Sequence, residues 1–335
     1  MYLCCGDALY DLFMTPPPGS GDVAGKGERA SASRIALAGD VGGSPLNVAN
    51  GLARLGNASG YLTKLSSDLF GQRMRAKLLA EGIDLSACID TDRNTTLAII
   101  EKNPDGSARY VFYTDGTADA SLKVSELPDA LPDAVRVLHF GSYSTAIEPT
   151  GSALQALAAR EADARIVSYD PNLRTMVVPD MDVWRARFDG FARAATLVKA
   201  SDEDIAALFP DTPDPETRFL AECFERGVEF AFITRGAQGA SAFSRGGDEA
   251  HGTRVKVDVV DTVGAGDTFQ ATVLHWLGRH GHVAPAGGAG TGGTRAHVQG
   301  RVDLQGCLAL ALRAAAIVCT RAGADLPTLA DLADG

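Results

Sequence analysis

The sequence predicts an α/β fold: a doubly wound, mostly parallel sheet with helices on both faces and a small separate β-sheet beside it. Three observations predict it. From Val135 onward, short apolar strands alternate with helical stretches, the pattern of a parallel sheet covered on both sides. Two strand-like runs, 96–100 and 109–113, flank Asn103-Pro104-Asp105-Gly106, a hairpin signal that interrupts the alternation and so belongs to another sheet. The polar clusters of the second half fall at strand C-terminal ends, where open α/β sheets bind ligands. Residues 1–335 read as a single domain, with the strands of the small sheet drawn from about 8–41 and 95–116.

In order, residues 2–5 are an apolar run ending at Gly6-Asp7, a short strand. Ala8-Leu9-Tyr10-Asp11 follows, then Pro16-Pro17-Pro18 and a polar stretch to about Ser33 that reads as a loop. Gly25-Lys26-Gly27 within it is no phosphate loop, because no Gly stands five before Gly25 and no Ser or Thr follows Lys26. Gly42-Gly43-Ser44-Pro45-Leu46-Asn47 opens a helix with Ser44 as N-cap and Pro45 at its first position. Val48, Ala49, Leu52, Ala53 and Leu55 give that helix its apolar face, and Gly56 ends it. Residues 61–65 form a strand, and 68–81 a helix stopped by Gly82.

After the hairpin, 135–140 is a strand and 152–164 a helix. Residues 165–169 form a strand ending at Asp170-Pro171-Asn172-Leu173-Arg174, a good turn on its own chemistry. Residues 195–199 lead into Ser201-Asp202-Glu203-Asp204, where Ser201 and Asp204 fit a capping box. Residues 230–234 form a strand, and Gly236 and Gly239 mark the hairpin behind it. Residues 253–260 alternate and then turn apolar, as a strand does, and 269–277 carry apolar residues at helical spacing. Gly288-x-Gly290-x-x-Gly293 sits in a glycine-rich loop with no strand before it, so it is no dinucleotide site. Residues 304–318 are an alanine-rich buried helix.

Composition narrows the function. With 45% hydrophobic and 22% charged residues, the chain has an ordinary globular make-up. A net charge of −11 argues against a nucleic-acid partner, and no apolar run approaches the length of a membrane span. Met1 to Asp7 lacks the basic region and cleavage site of a signal peptide. Six cysteines without a C-x-x-C spacing read as buried free thiols of a reducing compartment. The expectation is a cytoplasmic protein with neither membrane nor nucleic-acid partners.

The stretch Asp261-Thr262-Val263-Gly264-Ala265-Gly266-Asp267-Thr268-Phe269 carries the chemistry. Read as strand, Gly-Ala-Gly turn and helix, it presents the free N–H groups of a first helical turn, a site for anionic charge. Asp267 stands in that same turn. Amides of Gly264, Ala265 and Gly266 beside a carboxylate suit phosphoryl transfer to a hydroxyl, the amides stabilising developing charge and the carboxylate taking the proton. Acidic residues also favour helix N-termini for the dipole alone, so the aspartate by itself would decide little.

The whole string closely resembles the C-terminal signature of the ribokinase-like (PfkB) carbohydrate kinases, and the other motifs follow that family's order. Gly6-Asp7-x-x-x-Asp11 is similar to its opening, which implies that Asp11 binds sugar hydroxyls. Gly42-Gly43-x-x-x-Asn47 resembles its N-terminal signature, which implies sugar contacts from Gly42, Gly43 and Asn47. Asp170-Pro171-Asn172-Leu173-Arg174 resembles a string of fructokinase-like members, and Arg174 is placed at the phosphate or the substrate. Lys199-Ala200-Ser201-Asp202-Glu203-Asp204 resembles a segment that implies nucleotide contacts from Lys199 and Ser201 and Mg²⁺ organisation by Asp204, one methylene shorter than the usual Glu. Thr234, Gly236 and Gly239 match a segment that meets the nucleotide phosphates. The close, Cys319 to Ala324, is placed near the adenine and a monovalent cation, with Asp261 as a ligand of that ion.

The resemblance implies an ATP-dependent sugar kinase nearest to fructokinases, with ATP and Mg²⁺, room for K⁺, and a β-sheet lid over the sugar that allows a homodimer. It puts the γ-phosphate on a primary hydroxyl, with fructose favoured. Thr114 follows Phe112-Tyr113 where fructokinase-like and keto-deoxy-gluconate kinase-like members commonly carry Arg, and losing that natural carboxylate partner tips the expectation modestly from an acid sugar to a neutral one. A 2-dehydro-3-deoxygluconate kinase or a ribokinase stays open. So does a non-catalytic sugar or nucleotide sensor, which would have lost the base or the anion hole.

Overall fold

The computed structural model describes residues 1–15, 35–102, 108–283 and 296–333. The triple proline, the Asn103-Gly106 turn and the glycine-rich loop around Gly290 lie outside the described residues. In chain order the strands are β1 (Tyr2–Cys5), β2 (Leu9–Thr15), β3 (Ala36–Gly42), β4 (Ser59–Leu62), β5 (Lys64–Ser66), β6 (Ile89–Thr91) and β7 (Thr96–Lys102). They continue as β8 (Ala108–Tyr113), β9 (Val137–Gly141), β10 (Ile166–Asp170), β11 (Leu197–Ser201), β12 (Phe230–Thr234), β13 (Ala240–Ser244) and β14 (Glu249–Gly252). The helices are α1 (Ser44–Arg54), α2 (Leu69–Ala80), α3 (Thr150–Glu161), α4 (Met181–Ala192), α5 (Asp202–Leu208) and α6 (Pro215–Glu225). After these come α7 (Ala265–Arg279), α8 (Leu304–Cys319) and α9 (Leu329–Ala333).

Eight strands make one sheet in the order β14-β13-β12-β11-β10-β9-β1-β4, parallel from β12 to β4 and antiparallel at the β12-β13-β14 end. The pleat sorts its side chains onto two cores. Tyr2 and Cys4 of β1 join the cluster built with Leu52 of α1, Val273 of α7 and Leu308 of α8. Leu3 and Cys5 point the other way, to Leu157 of α3 and Phe191 of α4. Helices therefore cover both faces, as the near-continuous apolar strands demanded. All six cysteines are free, four of them buried.

The small sheet runs β3-β2-β7-β8, with a parallel β2-β7 pair between antiparallel ones. Its register separates two faces. Leu9, Asp11 and Phe13 alternate along β2 toward a cavity over the large sheet, with Ile100, Tyr110 and Phe112 beside them. On the opposite face, Met14, Leu37, Val111 and Tyr113 are exposed.

Three readings of local structure are corrected. Residues 253–260 are not a strand but an irregular segment that leaves Val255, Val259 and Val260 exposed. The sheet edge is already taken by β14, so the alternation there has no core to face. Residues 61–65 divide at Thr63, β4 joining the large sheet and β5 pairing with β6. Ser44 does not cap α1: the cap residue is Gly43, which has no side chain to bond the turn, and the Ser44 amide is met by Asp7 instead.

Phe191 shows how far the second core depends on aromatic packing. It is fully buried, stacked on Tyr169 at 4.7 Å between centroids and tilted against Phe140 at 5.6 Å. Phe191→Ala should cost about 3–5 kcal/mol of unfolding free energy, read from urea titration. A cost within about 1 kcal/mol would mean that the neighbouring rings collapse into the space.

Candidate active site

A cavity of about 480 Å³ lies between the inner face of the small sheet and the C-terminal ends of the large one. Helix α7 begins at its floor. Gly264 caps the helix with φ 78°, in the left-handed region, and a Cβ there would lie 2.9 Å from Ala324 Cβ. This is a position for glycine on both counts. The Ala265 amide donates to Thr262 O at 3.2 Å and the Thr268 amide to Gly264 O at 2.8 Å. The amides of Gly266 and Asp267 take no acceptor among the described residues. They are the free donors of the turn, and Ala265 is not one.

Asp267 lines the cavity beside them. Its Oδ1 accepts from Ser44 Oγ at 2.7 Å and its Oδ2 from Asn47 Nδ2 at 2.8 Å. Ser44 Oγ in turn accepts from Asn172 Nδ2 at 2.7 Å, and Asn172 Oδ1 accepts from Arg174 Nη1 at 2.6 Å. A chain of donors thus runs from a guanidinium to the aspartate. The hydroxyl that reads as a helix cap is spent on Asp267 instead. Asn172 (φ 41°) and Ser142 (φ 60°) are the non-glycine residues with positive φ among the described residues, and both line this cavity. Such backbone strain persists only where surrounding contacts hold it.

Lys199 approaches from β11. Its Nζ would be 3.1 Å from a Cβ on Gly266, so any side chain there would push on the ammonium above the turn. Lys199 is buried and donates to Asp170 Oδ2 at 2.9 Å. Burial pulls its pKa down, but the Asp170 carboxylate outweighs it and raises the pKa, keeping the charge. Asp170 Oδ1 is buried without a partner among the described residues.

On the sugar-facing side predicted from the sequence stand Asp11 and Asp7. Burial pushes the Asp11 carboxyl up to about 6, against the pull of Arg174. Gly42 does not line the cavity; it makes room for Asp11, because a Cβ there would fall 2.3 Å from Asp11 Oδ2. Asp7 is fully buried, accepting from the Ser44 amide at 3.2 Å and from Ser144 Oγ at 2.9 Å. Burial, then the nearby Asp119 carboxylate, push it up to about 7.

The cavity lining thus brings together Asp11, Gly43, Asn47, Arg174, Lys199, Gly264, Gly266 and Asp267 of the sequence-predicted residues. It leaves Ser201, Asp204, Thr234, Gly236, Gly239 and Asp261 outside. Ser201 Oγ caps α5 through the Asp204 amide at 3.0 Å, while Asp204 Oδ1 accepts from Leu173 N at 3.0 Å rather than closing a capping box. Thr234 ends β12, next to β11. Gly236 has open space around it, and Gly239 lies with its Cα against the Gly252 carbonyl. Asp261 accepts from the amides of Val263 (3.1 Å) and Gly323 (3.3 Å), tying the signature to the C-terminal turn. Sequence reasoning missed Asp7, Ser44, Asn172 and Asp170 as site residues. Capping and turn chemistry explained the last three locally, so nothing in one dimension set them apart.

Comparison with known proteins gives the family and the fold. Residues 24–331 match the family model described as pfkB family carbohydrate kinase. A fructokinase of Rhizobium leguminosarum bv. trifolii is 36% identical over 274 residues, covering 82% of this chain and 78% of that protein. The crystal structure of a Xylella fastidiosa fructokinase with bound ATP has the same fold, with a TM-score of 0.81 at 23% identity over 99% of this chain and 96% of that one. A fructokinase double mutant from Vibrio cholerae O395, in a fructose, ADP and potassium ion bound form, superposes with a TM-score of 0.77 at 24% identity, over 99% and 96% of the two chains.

The Asp7 carboxyl carries a pH prediction. Its folded pKa of about 7 lies above the ordinary 3.8, so between these values the folded chain holds a proton that the unfolded chain has released. Stability should therefore fall as pH rises through that window, by at most about 4 kcal/mol, and level off above it. Asp7→Asn can keep both contacts: its oxygen accepts from Ser44 N, and its amide donates to Ser144 Oγ, whose own hydrogen can turn to Gly141 O at 2.9 Å. Urea unfolding at pH 5 and pH 8 should show a smaller drop for the variant than for the wild type. Parallel profiles would mean that Asp7 is ionised throughout.

Proposed function

We propose that this chain, which belongs to the pfkB family of carbohydrate kinases, transfers the γ-phosphate of ATP to a primary hydroxyl of fructose. The observation that carries the reading is Asp267, held on both oxygens at the cavity floor beside two free amides and the Lys199 ammonium. Fructose follows the name of the Rhizobium relative and the ligand of the Vibrio structure. The cavity supports a neutral sugar. Asp7 and Asp11 would repel a carboxylate, and the Arg174 guanidinium is already bonded to Asn172 Oδ1 and to Leu173 O at 3.0 Å. Among the described residues the other cation of the lining, Lys199, is paired with Asp170 on the far side toward α7, so a 2-dehydro-3-deoxygluconate carboxylate is not favoured. A sensor would lack the base or the anion hole, whereas Asp267 and the Gly266 and Asp267 amides support an enzyme.

In the mechanism, Asp11, Asn47 and the Gly43 backbone hold the sugar hydroxyls, and Asp267 takes the proton of the attacking one. The Gly266 and Asp267 amides and Lys199 receive the charge on the transferred phosphoryl group. ATP follows the ligand of the Xylella structure. Its Mg²⁺ partner supplies charge neutralisation between phosphates, usually through one or two carboxylates and water. Asp204 and the unpartnered, buried oxygen of Asp170, which feels Asp204, fit that need. A potassium ion, as in the Vibrio structure, would have to share the Asp261 carboxylate with two amides.

Met14, Leu37, Val111 and Tyr113, exposed on the outer face of the small sheet, support a homodimer through that face. Sedimentation should show a two-chain species that Tyr113→Asp weakens; an unchanged monomer in both would dismiss it.

Asp267→Asn should leave the fold and ATP binding intact and lower kcat by roughly 10²–10⁴, measured as ADP release with fructose, ribose and 2-dehydro-3-deoxygluconate. Retention of more than about a tenth of the wild-type rate would show that Asp267 is not the base. A faster rate on either other sugar would displace fructose.

A further inference from the structure

Four short stretches carry the chain between the small sheet and the large one. They are Ala8 into β2, Gly42 and Gly43 out of β3, Thr95 and Thr96 into β7, and Thr114 to Thr117 out of β8. Three of the four end on a single side chain. Asp119, only 1% exposed, accepts from the Ala8 amide on Oδ2 at 3.1 Å. Its Oδ1 accepts from the Thr96 hydroxyl, and the Thr117 hydroxyl stands 3.2 Å away, its one hydrogen shared between Oδ1 and Thr114 O at 2.8 Å. Tyr143, in the turn behind β9, donates its hydroxyl to Oδ2 and so supplies a fixed point on the large sheet's body. The Asp119 backbone is anchored as well: Thr150 at the start of α3 donates its hydroxyl to the Asp119 carbonyl at 2.8 Å and accepts from Leu122 N at 3.0 Å. The fourth crossing is held by the adjacent Asp7, through the Ser44 amide. There Gly43 has no space for a side chain, whose Cβ would lie 2.3 Å from the Asp7 carbonyl oxygen.

A buried carboxylate that needed only to be satisfied could take its donors from one loop. These donors come from three separate hinges and from the body that the hinges swing against. Bonds to an ionised acceptor in a dry site are the stiffest available to side chains. Asp11 follows Ala8 by three residues on β2, so whatever holds Ala8 sets where the Asp11 carboxylate stands over the cavity. Asp119 does not itself line that cavity. We propose that Asp119 is a positioning residue, which ties three hinges of the small sheet to one point of the large sheet's body and thereby sets Asp11 at its working distance from Asp267.

The kinetic part rests on the fructokinase reading above; the mechanical part does not. In the full chain, Asp119→Asn presents an amide where four donors converge. It should raise the KM for fructose about ten-fold or more while the KM for ATP stays within about two-fold. Hydrogen exchange at residues 96–100 should quicken about ten-fold, with β10 and β11 unchanged. Thr117→Val removes one hinge donor at constant shape and should move both readings the same way, about three-fold, and Thr117→Ser should restore them. Lower thermal stability with unchanged fructose KM and unchanged exchange at 96–100 would make Asp119 an ordinary satisfied core acid and overturn the proposal. If the wild type turns over no fructose, the functional reading fails. Exchange in the variants then still decides the mechanical claim, and unchanged exchange overturns it. If Asp119→Asn does not fold, the Thr117 pair decides alone, and equal exchange in the valine and serine variants overturns the proposal.

Discussion

The Asp267 carboxylate accepts one hydrogen bond on each oxygen from the first turn of α1, and the geometry of the whole site follows from that junction. The two helices meet there because Gly51 of α1 leaves no bulk between them: a Cβ at that position would lie 2.9 Å from Ala271 Cβ on α7 and 2.7 Å from Leu326. Ser44 and Asn47 therefore arrive at hydrogen-bonding distance from a residue more than two hundred positions away. Asn172 and Arg174 extend the same chain to the end of β10. A carboxylate can serve as a base only when its lone pairs are aimed, and the rotamer freedom of Asp267 is removed by these bonds before any ligand arrives.

The cavity keeps two kinds of chemistry apart. Toward the small sheet it is acidic, with Asp7 and Asp11 offering acceptors to hydroxyl groups. Toward α7 it offers donors, namely two main-chain amides and the Lys199 ammonium. Burying that many carboxylates is costly, which is why Asp7, Asp11 and Asp170 all have raised pKa values, Asp170 even with Lys199 beside it. A neutral polyol with one end presented to a phosphate matches this division. The small sheet supplies Asp11 to the acidic half, and Asp7 stands in the turn that leads into it.

Much of this was legible in one dimension. Strand and helix alternation after Val135, the hairpin runs and the Gly264-Ala265-Gly266-Asp267 turn all depend on local spacing, and the structure places each of them where the spacing did. The misreadings share a cause. Residues 253–260 alternate like a strand, but β14 had already closed that edge. Ser44 has every local qualification of an N-cap, yet a charged acceptor brought in by tertiary packing takes its hydroxyl. Ala265 belongs to the anion-binding string, but its amide turns back to Thr262.

By itself, then, the sequence determined the fold class and the order of the motifs and singled out Asp267 as the candidate base, because periodicity, glycine requirements and helix-end chemistry act over a few neighbouring residues. Only the tertiary structure decided which polar groups share partners. Asp7, Asp119 and Asp170 are unremarkable acids in a chain with 42 acidic residues. Their significance comes from burial and from donors at least 29 residues away for Asp170, 37 for Asp7 and 111 for the Ala8 amide on Asp119. The reason is physical: a carboxylate is inexpensive in water and demanding in a dry interior, and no local pattern reveals which of the two it will meet.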